Sequence, residues 1–288
     1  MSPRKNELTD LPLGAHQATE ALRWWIRVGV TDALHDTPRD RFANSLIEDR
    51  DQRGAPNVSV SIRQSSPPAA EAASRVPQTA GAGNPPDAMK TARALAETAT
   101  DLETLRSVMV HFDGCALKRT ATQLVFADGV PGSRVMFVGE APGGDEDRIG
   151  RPFVGRAGQL LDRMLNAIGL DRQQVYIANV VPWRPPGNRT PTPQETQTCL
   201  PFIKRQIHLA NPEFLVCLGA SAARTLLGVE GGIMRTRGSW FDFPRQVGGE
   251  IRALAMLHPA FLLRQPGHKQ FAWADMRALA SALKSTSR

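Results

Sequence analysis

The chain has 288 residues, 41% hydrophobic and 22% charged, ordinary values for a folded protein and too apolar for wholesale disorder. No run approaches the roughly 18 apolar residues of a membrane helix, and the opening MSPRKNELTD lacks the apolar segment of a secretory signal. Three cysteines make no disulfide framework, so a reducing cytoplasmic setting is expected. A net charge of +7 from 35 Lys+Arg against 28 Asp+Glu suits a polyanionic partner.

In chain order, 17–48 carries a helical stretch, with Ala21, Trp24, Trp25, Val28 and Val30 grouped before a charged segment. The next segment is rich in Pro, Ala, Ser and Gly, too poor in apolar material to offset the entropy of ordering, and reads as a flexible linker. The expected organisation is an N-terminal helical extension at 1–53, a linker at 54–87 and a main domain at 88–288. Leu95, Leu102, Leu105 and Met109 recur at helical spacing and predict a single helix over 88–110.

From 133 onward, short apolar runs at 135–138, 175–181, 214–218 and 254–257 alternate with helical patterns at 157–170, 194–209, 220–227 and 270–283. That alternation predicts an α/β fold, a three-layer α/β/α sandwich around a four-stranded parallel sheet. In such sheets ligands bind outside the carboxyl ends of the strands. Here those ends deliver Gly139, Glu140 and Ala141, then Asn179, then Gly219-Ala220-Ser221, then His258. An acid, an amide and an imidazole on one rim make an active-site layout.

Each residue has a bland reading beside the functional one. The stretch GEAPGGDED at 139–147 is a glycine-rich turn, but it lacks a Lys-Ser/Thr pair and its four acids would repel a phosphate; the bland reading is a solvated acidic turn. Phe153, in a Pro/Gly-bounded loop, either stacks on a flat ligand or staples the following helix. A strand amide such as Asn179 needs partners and matches a pyrimidine edge, or else bridges structure. The loop 183–191, with Trp183, Arg184, Asn188 and Arg189, suits contact with backbone phosphates. Phe261, Leu262, Leu263 and Arg264 make an exposed apolar-basic loop able to wedge between bases.

Three ordered motifs, GEAPGGDEDRIGRPFVGRAGQLLDRML, VYIANVVPWRPPGNRTPTPQE and HPAFLLRQPGHK, resemble those of the type-4 uracil-DNA glycosylases. The likeness runs from about Phe112 to Trp273 and implies hydrolysis of the N-glycosidic bond of a flipped-out deoxyuridine in DNA, leaving an abasic site. It implies that Glu140, with the backbone at Gly139 and Ala141, positions water and contacts uracil. Phe153 corresponds to the ring stacked on the base, Asn179 to the amide reading O4 and N3–H, and Glu146 to the side chain near C5. His258 corresponds to the imidazole at O2, catalytic with Glu140. Arg184, Asn188, Arg189, Phe261, Leu262 and Arg264 then fall on the DNA.

Type-4 enzymes usually hold a four-iron cluster on four cysteines. At the matching positions this chain has Phe112, Cys115, Trp183 and Cys199. Two thiolates cannot supply that set, so no metal and no cofactor are expected, the aromatics filling the cluster's volume. Ala141 stands where family-one enzymes place an aspartate, so leaving-group stabilisation outranks general-base catalysis. The partner expected is uracil-containing DNA, met by a monomer with no membrane. Two other readings stay open: a catalytically weakened module binding uracil or abasic DNA, and a small-molecule enzyme acting on nucleosides.

Overall fold

A computed structural model describes residues 85–286, together with Glu20. Apart from Glu20, the helical stretch expected in 17–48, and all but the end of the linker expected at 54–87, lie outside the described residues. The first described elements correct the reading of 88–110 as one helix: α1 (Pro85–Thr98) and α2 (Leu102–His111) take its place. The Asp101 carboxylate accepts the Thr104 N–H at 2.7 Å, an N-cap that starts a new helix where the apolar period runs straight through. α1 opens at Pro85, inside the stretch read as linker, because proline's fixed φ suits a first helical turn.

Six strands follow: β1 (Asp128–Gly129), β2 (Val135–Gly139), β3 (Val175–Asn179), β4 (Phe214–Leu218), β5 (Trp240–Pro244) and β6 (Glu250–Met256). Among the described residues they form one sheet in the order β1-β3-β2-β4-β6-β5. The four central strands are parallel, as expected. Both edges are antiparallel, so the four-stranded expectation becomes the centre of a six-stranded mixed sheet. The edges escaped because β1 is two residues long and β5 is mostly half-exposed, ending in a proline. Neither carries the continuous apolar run of a doubly covered strand.

The helices are α3 (Gly144–Ile149), α4 (Arg156–Ala167), α5 (Pro193–Ala210), α6 (Ala220–Leu227), α7 (Ile233–Thr236), α8 (Pro259–Arg264) and α9 (Lys269–Ser285). Strand alternation divides them into two layers. Met136, Val138, Tyr176, Ala178, Leu215 and Cys217 face a core shared with α1, α2, α5 and α6. Val135, Phe137, Val175, Ile177, Phe214 and Val216 face the opposite core, against α4, α8 and α9. The result is the three-layer sandwich. Register then sets the rim: Gly139 pairs with Asn179 and Leu218 with Met256, so the central strands end level and hand their next residues to one edge of the sheet.

Candidate active site

A cleft of about 1070 Å³ opens at that edge, lined among others by Glu140, Phe153, Asn179, Ser221 and His258. The rim expected from the strand ends is therefore assembled. Asn179 is buried, held by β3, and its Oδ1 has no hydrogen-bond partner. A buried acceptor left unmet costs on the order of 1–3 kcal/mol, so the site is built to receive an N–H donor. Asn179 and Phe153 also crowd Gly139: a Cβ there would lie 2.5 Å from Asn179 Oδ1 and 2.6 Å from the Phe153 ring.

His258 caps α8. Its Nδ1 accepts the Ala260 N–H at 3.1 Å, which in the neutral ring leaves the proton on Nε2. Burial, helped by the nearby Arg264 charge, pushes its pKa down to about 4, so near neutral pH the imidazole is uncharged and offers one N–H. Its ring stacks beside Phe153, with centroids 5.5 Å apart and planes 29° from parallel. Glu140 is half-buried. Burial raises its carboxyl above the ordinary range, a hydrogen bond from Ser221 offsets part of this, and its Oε1 has no partner.

Phe153 has φ +54, left-handed backbone that costs a bulky side chain on the order of 1–3 kcal/mol. Its ring belongs to the core beneath the cleft and also lines the cleft. Glu146 lines the cleft, yet its carboxylate is spoken for. One oxygen accepts the Val154 and Gly155 N–H groups at 3.0 and 2.9 Å, and the other accepts Gly143 N–H at 3.1 Å. Asp147 turns inward to the Thr122 N–H and hydroxyl, both at 2.8 Å. Two of the acids that read as a solvated turn are internal ties that fix the first loop.

The residues expected on DNA divide. Arg184 donates to Asn188 Oδ1 at 2.7 Å, and Asn188 sits at φ +57. Arg189 makes a two-pronged pair with Glu195 at 2.8 and 2.7 Å; Glu195 also caps α5 through the Thr192 N–H. These groups shape the loop, with the Arg189 charge matched by Glu195 and Arg184 held by the neutral Asn188 amide. The stretch 261–264 is the end of a helix, α8, and not an exposed loop. In consequence Leu262 is fully buried and cannot act as a wedge, which corrects that expectation. Its neighbour Leu263, about 100° round the helix, is 37% exposed. Phe261 lines the cleft with Arg264 and meets His268 edge-on at 5.1 Å.

The four positions matching the cluster ligands lie in the core between sheet and helices. Phe112 stacks on Trp183 with centroids 6.5 Å apart and meets Phe202 edge-on at 5.0 Å. Cys115 and Cys199 bring their sulfurs to 3.8 Å. The bond between them, together with burial, raises the Cys199 thiol above its ordinary pKa and draws Cys115 below it; two thiols are half of the four-thiolate set such a cluster needs. No group of three or more His, Cys, Asp or Glu able to hold a metal occurs among the described residues. The residues present do not fit a four-iron cluster.

The model of the uracil DNA glycosylase superfamily matches residues 126–277, a span holding every cleft residue named above. The type-4 uracil-DNA glycosylase of Thermotoga maritima is 44% identical over 151 residues, covering 52% of this chain and 77% of that protein. Those of Archaeoglobus fulgidus and Pyrobaculum aerophilum are 40% and 38% identical, covering 57% and 58% of this chain and 84% and 86% of theirs. The family model thus spans just over half of the chain and the whole of the sheet, and the chain belongs to the uracil DNA glycosylase superfamily.

Proposed function

We propose that this protein is a DNA-repair hydrolase that excises uracil from DNA by cleaving the bond between N1 of the base and C1′ of the sugar. The observation that carries the reading is the polarity of the cleft: a buried Asn179 Oδ1 wanting a donor beside a neutral His258 offering Nε2–H. Uracil presents the complement, with acceptors at O2 and O4 flanking a donor at N3. His258 donates to O2, Asn179 Oδ1 accepts from N3–H while its amide N–H meets O4, and Phe153 packs against the ring face. The base reaches these groups only after rotating out of the helix.

Chemistry follows from the same contacts. As the N1–C1′ bond stretches, negative charge spreads over the leaving uracil and collects in part on O2. The His258 hydrogen bond strengthens there, in a site partly shielded from water, which is the kind of interaction that lowers a barrier by roughly 3–4 kcal/mol. The sugar becomes cationic at C1′. Glu140, when ionised, stabilises that charge and orients the attacking water. With Ala141 in the adjoining position, leaving-group stabilisation carries the larger share. Leu263, exposed on α8, takes the wedge role in place of Leu262.

The reading includes an iron-free protein, because the ligand positions hold two rings and two thiols in a packed core. It also includes a cytoplasmic monomer, to which three buried free cysteines are suited. No helix among the described residues is long and apolar enough to cross a membrane. The deciding experiment incubates an oligonucleotide bearing one uracil with the protein in EDTA, then applies alkali. Strand cleavage at uracil, absent with thymine in its place, is the expected result. Tight binding without cleavage would leave a binding module instead.

A further inference from the structure

Behind the cleft, Arg172 makes four contacts that no reading of the motifs anticipates. It sits in the single turn (Arg172–Gln174) that leads into β3. Its Nε donates to Asp162 at 3.0 Å, and one terminal nitrogen donates to Asp128 at 2.5 Å and to the Pro152 carbonyl at 3.2 Å. The other terminal nitrogen donates to the Phe153 carbonyl at 2.5 Å. The guanidinium is mostly buried, with 19% of the side chain exposed. Two carboxylates would satisfy its charge. The remaining donors instead grip two successive carbonyls, the second belonging to Phe153, whose backbone is left-handed.

That grip has a counterpart on the other side of the same residue. Glu146 holds the Val154 and Gly155 N–H groups while Arg172 holds the Pro152 and Phe153 carbonyls. A peptide segment clamped by a cation on its carbonyls and an anion on its amides cannot relax by flipping peptide planes. The clamp fixes the Phe153 Cα–Cβ direction, and with it the ring against Gly139, Asn179 and His258. Even the shortest strand serves it, because β1 brings Asp128 into place.

We propose that Arg172 is a positioning residue for base excision that acts through Phe153, an inference that rests on the uracil-excising reading above. A lysine there would keep the charge but lose the fork that spans two carboxylates and two carbonyls. Arg172→Lys and Arg172→Met should therefore lower kcat on uracil-containing oligonucleotide by roughly ten- to a hundredfold, with KM for DNA little changed. Free uracil should inhibit the variants more weakly than wild type, since its stacking partner is no longer held.

The test is a double-mutant cycle. Arg172→Met is measured alone and in a Phe153→Ala background, with Asp162→Asn as the milder second route should Arg172→Met fail to fold. If Arg172 works through Phe153, its loss changes kcat by no more than about twofold once the ring is gone. Effects that multiply in full would overturn the inference and reduce Arg172 to a fold-stabilising ion pair, leaving the glycosylase reading intact. A wild-type protein that leaves uracil in place overturns both. Amide hydrogen exchange gives a readout free of catalysis: the segment 150–158 should exchange faster in Arg172→Met or Asp162→Asn, and unchanged exchange there likewise counts against the inference.

Discussion

Gly158 lies so close beneath Phe153 that a Cβ at position 158 would stand 1.6 Å from the Phe153 carbonyl oxygen. The obstacle is backbone, which cannot swing aside as a flexible side chain does. Gly158→Ala must therefore displace the Phe153 backbone or the first turn of α4, although in a helix interior alanine is the better former by about 1 kcal/mol. The expected outcome is a folded protein whose excision rate falls on the order of a hundredfold. Thermal melting and single-turnover excision, measured side by side, check it.

The protonation states set a pH profile. Burial and Arg264 hold His258 neutral down to about pH 4, so the rate should show no limb near the usual histidine value of about 6.5. Glu140 must be ionised to act, and burial lifts its pKa, so the rate should rise with pH through a point above the ordinary carboxylate range. Glu140→Gln should remove that limb. His258→Ala should cost on the order of 100- to 1000-fold in kcat with DNA binding kept. A limb near 6.5 that vanishes with His258 would contradict the assignment.

Leu262 and Leu263 should separate cleanly. Leu262 is fully buried and Leu263 faces out. Leu262→Ala is expected to destabilise by about 2–5 kcal/mol, the usual result of opening a core cavity. Leu263→Ala should leave the melting temperature nearly unchanged while slowing excision from duplex more than from single-stranded DNA, because only the duplex must be wedged open. Equal losses on both substrates would remove Leu263 from that role.

The aromatic packing around Cys115 and Cys199 invites a stability measurement. Trp183 is among the largest fully buried side chains, and Trp183→Ala should cost about 3–5 kcal/mol in chemical denaturation. Purified wild-type protein should contain no stoichiometric iron and keep its melting temperature in chelator. Stoichiometric iron would refute the ligand argument outright.

The parts of this fold legible in the sequence are those under the strongest constraint. A strand covered on both faces must be apolar throughout, so β2, β3 and β4 stand out as runs. Rim residues follow from where the runs end. The helix break at Asp101 is hidden because a side-chain cap overrides a period that happens to stay in phase. Exposure within α8 depends on a helix where the sequence suggests a loop, so of the two leucines only Leu263 stays exposed. Arg172 had no local signal at all: its partners are spread over Asp128, Pro152, Phe153 and Asp162, and only the folded chain brings them together.

The rings of Phe112, Trp183 and Phe202 are delivered with the chain itself. Trp183 precedes the loop of Arg184 and Asn188 and follows Asn179 by a few residues, so this packing anchors the connection between base-reading amide and surface loop. Such an anchor is made by side-chain packing and forms as the chain folds. Beside the rings, the Cys115 and Cys199 sulfurs lie 3.8 Å apart, thiols that an oxidant can still convert.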